Sequence, residues 1–310
     1  MLVSVIVPAY NREKFIEETL RSVKEQAYRP LELIVVDNGS DDSTLSLCER
    51  FAASEHGSGF SVKVLSEKRR GASACRNTGA RAATGRWLSF FDSDDFMSPD
   101  FISDAMKLAV GDVQLVAGAT NIDDGKKVRR RVFRYSAEVE EQILTGELST
   151  QSMIMRSDLF GRVGGWNESL PRWNDWELGV RILLACPVIA WLRGKSYHII
   201  RAHENSITGK DFSGSFNALM AACRAVESDL MSSQACSPRA VTALSYRVFM
   251  LSGILRREKS FSCSAEAKCY AEKLSVSRFG RMTGRLLMRY TSCGGRGAWL
   301  VARALASMAG

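Results

Sequence analysis

Leu2-Val3-Ser4-Val5-Ile6-Val7, closed by Pro8, and Leu31-Glu32-Leu33-Ile34-Val35-Val36, closed by Asp37, bracket a segment in which Phe15, Ile16, Leu20 and Val23 recur at helical spacing. Short apolar runs rich in β-branched residues suit strands buried on both faces, and the period between them marks a helix with one inward face. The opening therefore reads strand, helix, strand. Working outward, the alternation continues with a helix over Ser43 to Ala53, a strand over Val62 to Leu65, a helix over Ala72 to Ala83 and a strand over Trp87 to Phe91. Such alternation predicts an α/β fold, a mostly parallel Rossmann-like sheet with flanking helices, whose ligands sit beyond the carboxyl ends of the strands. Further strands are read over 113–117, 128–133, 150–155 and 195–200, a helix over 176–185, and helices punctuated by Ser, Gly and Pro from Phe212 onward.

Polar clusters collect at the expected edge. Pro8-Ala9-Tyr10-Asn11 follows the first strand, Asp37-Asn38-Gly39-Ser40-Asp41-Asp42 the second, and Asp92-Ser93-Asp94-Asp95 the fourth. Asp92 and Asp94 are the sharpest signal, because two carboxylates one residue apart at a strand end are costly to hold together without a cation; a divalent metal is the natural partner. The plain alternative is a solvated acidic loop. An aspartyl-phosphate motif of the form DxDx[T/V] is disfavoured by Phe96, where Thr or Val is required. Asp37 has two readings: a turn former, or a carboxylate that accepts a hydrogen bond from a base or ribose. The absence of GxGxxG after the first strand argues against a dinucleotide cofactor.

The 310 residues, 45% hydrophobic and 25% charged, are those of a folded globular chain and exclude disordered, collagen-like and coiled-coil classes. The densest apolar stretch, Ile182 to Leu192, contains Pro187 and falls well short of the roughly 18 residues that a bilayer-spanning helix needs. The N-terminus reads as a strand rather than a signal peptide, which gives a cytoplasmic expectation. Eight cysteines show neither CxxC nor metal-ligand spacing and are expected to be thiols. The net charge of +8 is localised: Gly209 to Gly310 holds 15 Lys and Arg against 6 Asp and Glu. No acid follows Glu272, whereas Lys273, Arg278, Arg281, Arg285, Arg289, Arg296 and Arg303 do. A catalytic domain over 1–208 and a basic, mainly helical region over 209–310 are the expected divisions. The basic residues lack interleaved aromatics and any nucleic-acid motif, so no nucleic-acid partner is expected. Arg278, Arg281, Arg285 and Arg289 share one helical face, with Phe279, Met282, Leu286 and Leu287 as an apolar side, a pattern that suits peripheral contact with an anionic membrane.

Val5-Ile6-Val7-Pro8-Ala9-Tyr10-Asn11, Glu32 to Thr44, Gly71-Ala72-Ser73-Ala74-Cys75-Arg76-Asn77-Thr78-Gly79 and Phe91-Asp92-Ser93-Asp94-Asp95 resemble, in order and spacing, the inverting family 2 glycosyltransferases of GT-A fold. The resemblance covers residues 1 to about 208. It implies a nucleotide-sugar donor, a UDP-sugar, with Pro8, Ala9, Tyr10, Asn11 and Asp37 around the base, Asp37 at the uracil N3–H, and Arg70 or Arg76 nearby. It further implies Mg²⁺ or Mn²⁺ on the diphosphate, with Asp94 as direct ligand and Asp92 and Ser93 at the ribose or outside the metal's own shell. His203, in Arg201-Ala202-His203, resembles a family histidine that approaches the metal or diphosphate.

Val163-Gly164-Gly165-Trp166-Asn167-Glu168 and Trp173-Asn174-Asp175-Trp176-Glu177-Leu178-Gly179-Val180-Arg181 are similar to the family's acceptor-side segments. Asp175 falls on the general-base position, with Glu177 as a fallback, and Asn174 departs from the usual Glu, read as altered tuning or an acceptor contact rather than loss of activity. Trp166, Trp173 and Trp176 are candidates to stack on sugars, with core packing as the equal alternative for at least one. The activity implied is that of a metal-dependent hexosyltransferase acting on a glycan or lipid-linked acceptor in cell-surface polysaccharide assembly. A catalytically silent nucleotide-sugar-binding or scaffold protein is the alternative, suggested by Asn174.

Overall fold

In the computed structural model, which describes residues 1–54, 57, 59–201, 211–295 and 297–308, strand β1 (Val3–Ala9) is buried along its whole length. It pairs in parallel with β2 (Leu31–Asp37) on one side and β4 (Trp87–Phe90) on the other, and β3 (Phe60–Ser66) pairs in parallel with β2. The intervening helices are α1 (Ile16–Lys24), α2 (Thr44–Ser54) and α3 (Ala72–Ala82), and α4 (Phe101–Leu108) follows β4. One face of the sheet carries Val3, Val5, Val7 and Val35, which pack with Ile16, Leu20 and Phe101. On the other face Ile34 and Val36 pack with Cys75. Gly79 of α3 lies so close to Ile6 that a methyl group there would clash, and this lets the helix settle on the strands.

The sheet continues as β3-β2-β1-β4-β7-β5-β6, with β8 on β5. These outer strands are β5 (Leu115–Asp123), β6 (Val128–Arg130), β7 (Met153–Arg156) and β8 (Ile189–Arg201). β7 runs antiparallel to both β4 and β5 and β6 antiparallel to β5, whereas β8 pairs in parallel with β5, so the sheet is wholly parallel from β3 to β4 and mixed beyond. The strand read over 128–133 ends at Arg130, and the one read over 195–200 begins at Ile189. Arg193-Gly194-Lys195 breaks the apolar alternation of β8, and its register against β5 shifts between Gly118 and Asn121, which is why periodicity missed its first half. Helices α5 (Val139–Thr145) and α6 (Ser157–Arg162) are too short to leave a legible period.

The chain forms two compact units, Met1–Tyr135 with Leu148–Pro171 and Pro187–Ser206, and Ser136–Glu147 with Arg172–Cys186 and Ile207–Gly310. Two segments that precede residue 208, Ser136–Glu147 and Arg172–Cys186, belong to the second, helical unit. That unit holds α5, α7 (Asn174–Leu184), α8 (Phe216–Ser232), α9 (Pro238–Arg257), α10 (Phe261–Leu274), α11 (Arg278–Ser292) and α12 (Ala298–Met308). α9 is its spine, packed by α5, α8, α10, α11 and α12. It starts where local chemistry dictates: Ser237 Oγ accepts the Ala240 N–H at 3.1 Å, and Pro238 occupies the first turn, where its missing N–H costs nothing. Among the described residues no helix is long and apolar enough to cross a membrane.

Candidate active site

Strand order β3-β2-β1-β4 reverses direction at β1, so the carboxyl ends of β1, β2 and β4 lie side by side, the position at which doubly wound sheets bind ligands. The loops after β1 and β2 are tied together: the Asn11 N–H donates to Ser40 Oγ at 3.1 Å and the Asp41 N–H to Asn11 Oδ1 at 2.9 Å. Asn11 takes a left-handed φ of 49°, a conformation Asn tolerates. Asp37 is buried and accepts from the Gly39 and Ser40 N–H groups at 2.9 and 3.1 Å and from Ser40 Oγ at 2.5 Å. These bonds shape its own turn and fix the orientation of its carboxylate. Pro8 and Ala9 end β1 and are buried, Tyr10 is 40% exposed, and Arg70 is exposed.

The acidic loop after β4 is held in detail. Arg76 donates through Nη2 to Asp92 Oδ1 at 2.6 Å, and Arg12 through Nε to Asp94 Oδ2 at 3.1 Å. Gln151 spans two carboxylates, with Nε2 at 2.7 Å from Asp92 Oδ2 and 2.5 Å from Asp95 Oδ2. Asp95 Oδ1 accepts the Arg201 N–H at 2.8 Å, while Ser93 is buried between the two motif aspartates. Among the described residues, three carboxylates face two guanidiniums here. The imbalance is written on Asp95, whose carboxyl is pushed up by burial and by the charges of Asp92 and Asp94. A set of hard oxygen donors carrying this excess of negative charge suits Mg²⁺ or Mn²⁺. Among the described residues no group of three His, Cys, Asp or Glu side chains could by itself enclose a metal. His203 lies outside the described residues.

Sequence reasoning missed Arg12, Gln151 and the Arg201 amide. Arg12 was within reach, because it follows directly on the first polar cluster. Gln151 was not: it stands 59 residues from Asp92 and reaches it through a turn at Thr150–Ser152 whose ends exchange hydrogen bonds between Ser149 and Ser152.

The Gly164-Gly165-Trp166 segment has left-handed φ at both glycines, and a side chain on Gly165 would press on Asn77 Oδ1 at 2.9 Å. Asn77 pairs with the Trp166 backbone in both directions, accepting from its N–H at 2.9 Å and donating to its carbonyl at 2.8 Å. Trp166 itself is 2% exposed, edge-on to Phe90 at 5.3 Å, with Arg76 over its ring at 4.4 Å. Its expected stacking on a sugar is therefore corrected to core packing, the alternative reading, since the ring is buried.

In the helical unit, Asn174 and Asp175 open α7, and the Trp176 N–H donates to Asp175 Oδ1 at 2.8 Å. Trp173, just before the helix, is partly exposed and holds a left-handed φ of 56°. Arg247 of α9 stacks over Trp173 at 4.3 Å and Trp176 at 4.4 Å, and donates to the Ile143 carbonyl at 2.8 Å. Trp176 is buried and donates through Nε1 to the same carbonyl at 3.0 Å, so it too is a packing residue rather than a sugar platform. Glu177 is also buried, with Arg181 Nε and Nη2 on its two oxygens at 2.6 and 2.8 Å, which removes it as a fallback base. Asp229 is pushed up to about 6 by burial and by the neighbouring Glu177 charge.

Residues 4–162 match the family model described as glycosyl transferase family 2. The chain belongs to that family. Among curated members it is 33% identical over 108 residues to glycosyltransferase GlyA of Streptococcus pneumoniae, which is 35% of this chain and 15% of that one. It is 26% identical over 184 residues to the chondroitin synthase of Escherichia coli, covering 58% and 26% of the two chains. The family 2 chain thus spans a minor part of those relatives. Its fold is similar over 98% of its length to S. aureus TarS 1-349 in complex with UDP-GlcNAc, at 20% identity and a TM-score of 0.71, covering 91% of that chain. The mannosyltransferase PcManGT of Pyrobaculum calidifontis, in complex with GDP-Man and Mn²⁺, shares 20% identity and a TM-score of 0.56 over 99% of this chain and 86% of its own. These likenesses establish the GT-A fold with C-terminal helices.

Proposed function

We propose that this family 2 protein is an inverting glycosyltransferase that moves a sugar from a UDP-sugar to a glycan or lipid-linked acceptor in cell-surface polysaccharide assembly. The observation that carries the reading is the meeting of Asp92, Asp94, Arg12 and Arg76 at the carboxyl edge beside β1, in a fold whose solved relatives include one bound to UDP-GlcNAc and one bound to GDP-Man with Mn²⁺. Pro8 to Asn11 and the rigid Asp37 take the base, Asp37 accepting from the uracil N3–H. Asp94, with His203, would hold Mg²⁺ or Mn²⁺, with Asp92 and Ser93 at the ribose or outside the metal's own shell. A bound divalent ion supplies charge neutralisation on the leaving diphosphate. Arg76, fixed by Asp92 and Trp166, adds positive charge at this edge, and Arg70 is exposed for the same purpose.

Asp175 acts as general base: its carboxylate takes the proton from the acceptor hydroxyl as that oxygen attacks the anomeric carbon opposite the diphosphate. Trp173, with Asn174 beside it, is the aromatic contact for the acceptor sugar, since Trp166 and Trp176 are enclosed. The basic C-terminal region brings the protein to the inner, anionic face of a membrane, where a lipid-linked acceptor would be found.

Asp175→Asn tests the assignment. Donor binding by calorimetry is expected to stay near wild type while turnover falls by about two to four orders of magnitude, the contribution of a positioned base. Turnover within about twofold of wild type would move the base elsewhere. In Asp94→Ala, Mn²⁺ is expected to lose its effect on UDP affinity; equal affinity with and without Mn²⁺ in wild type and variant alike would remove the metal from the scheme.

A further inference from the structure

Helix α11 divides its circumference into three sectors. Gly280, Thr283, Gly284, Leu287 and Thr291 are buried, and this side packs on α9, where the Tyr246 hydroxyl meets Thr283 Oγ1 at 2.7 Å. Leu287, expected on the open apolar side, belongs to this buried sector. At about 100° per residue, Arg278, Arg281, Arg285 and Arg289 fall within one arc of about 80°, and Phe279, Met282, Leu286 and Tyr290 fall within the adjoining arc of similar width. Both arcs face outward: Met282 is 56% and Leu286 54% exposed. A groove of about 350 Å³ is lined by the four arginines with Met282 and Leu286. The helix contains no acid, and among the described residues its arginines have one carboxylate partner, Glu272, at 2.8 Å from Arg285 Nε.

A ligand for this surface must satisfy cations and aliphatic carbon along a single helix about 22 Å long. A nucleic acid would pair with the arginines and leave Met282 and Leu286 in water. An apolar protein groove would cover those two and strand the guanidiniums. A phospholipid interface offers phosphates and acyl carbon at adjacent depths, which matches two adjoining arcs of a helix lying in its plane, with arginine stems bridging the two levels.

We propose that α11 is the surface on which this protein docks to an anionic bilayer, with Arg278, Arg281, Arg285 and Arg289 on lipid phosphates and Met282 and Leu286 at the acyl boundary. The proposal rests on the membrane reading given above and assigns it to one helix face.

Co-sedimentation of the full chain with vesicles of phosphatidylglycerol and phosphatidylcholine in equal parts, and with phosphatidylcholine alone, tests it. The wild type is expected to bind the anionic vesicles in a salt-sensitive way. Arg278→Gln with Arg281→Gln and Arg289→Gln is expected to weaken partitioning about a hundredfold, at about fivefold per cation. Met282→Ser with Leu286→Ser is expected to weaken it at least tenfold while salt sensitivity persists. All five positions are exposed, so thermal melts are expected to be unchanged; if the arginine variant fails to fold, the serine variant decides. Undiminished binding by both α11 variants, with loss in Lys268→Gln plus Lys273→Gln on α10, would overturn the surface and leave the membrane reading standing. No binding by the wild type would overturn both. Binding to RNA without binding to vesicles would overturn the proposal in favour of a polyanion.

Discussion

His198 is fully buried in β8, its ring edge-on to Phe91 at 5.2 Å and Phe101 at 4.2 Å, and its Nδ1 accepts the Ser98 N–H at 3.3 Å. Burial brings its pKa down to about 3, so the folded protein keeps it neutral. An unfolded chain protonates the same imidazole near about 6.5. Above that value the group is neutral in both states and stability is unaffected; as pH falls toward 3 the unfolded state takes up a proton the folded state refuses, and stability drops. The expected slope is on the order of 1 kcal/mol per pH unit over that window. His198→Asn, which tolerates the left-handed φ of 63° at this position, is expected to flatten it in urea titrations at stepped pH. Asp95 acts in the opposite sense, because its raised carboxyl binds a proton more readily when folded, so the difference between the two proteins isolates the histidine.

Helices α9 and α11 approach through small residues. A methyl group on Gly284 would overlap the Phe249 ring, which is fully buried and has nowhere to move. Gly284→Ala pits a gain of about 1 kcal/mol in helix propensity against an overpacking cost of about 1–3 kcal/mol. The clash wins because the helix axes must separate, and with them the Tyr246 to Thr283 hydrogen bond and the burial of Leu287. A fall in Tm of several degrees is expected by calorimetry. Gly161 in α6 has open space around its Cβ position, so Gly161→Ala is expected to leave Tm unchanged or raise it slightly. A fall in Tm for Gly161→Ala equal to that for Gly284→Ala would mean that the crossing is not where the cost arises.

Across the whole molecule all eight cysteines are free thiols, and their surroundings sort them into classes. Cys48, Cys75 and Cys223 are buried, and burial pushes each thiol up to about 12. Cys186, Cys269 and Cys293 are exposed. Because the thiolate is the reactive form, labelling of the native protein with a disulfide reagent, read by peptide mass spectrometry, is expected to modify the exposed three first and the buried three after denaturation alone. Fast modification of Cys75 would show that α3 opens from the sheet.

The alternation of apolar runs and amphipathic segments determined the half of the sheet from β1 to β4, because a strand buried on both faces tolerates little besides β-branched and aliphatic residues. The polar clusters at Tyr10, Asp37 and Asp92 were legible for a related reason: each sits where such a run ends, and chain order alone carries them to a common edge. Periodicity could not report the antiparallel β7 or the long β8, since strand direction and bulges are settled by pairing partners far along the chain. Nor could it tell Trp173 from Trp166 and Trp176. Three tryptophans within eleven residues look alike in sequence, and which rings remain open depends on where Asn77, Arg76, Arg247 and the Ile143 carbonyl arrive. The pairing of Arg12 with Asp94, and the bridging of Asp92 and Asp95 by Gln151, belong to the same class. A carboxylate announces that it needs a partner, but the identity of that partner is a matter of distance in space, which the fold alone decides.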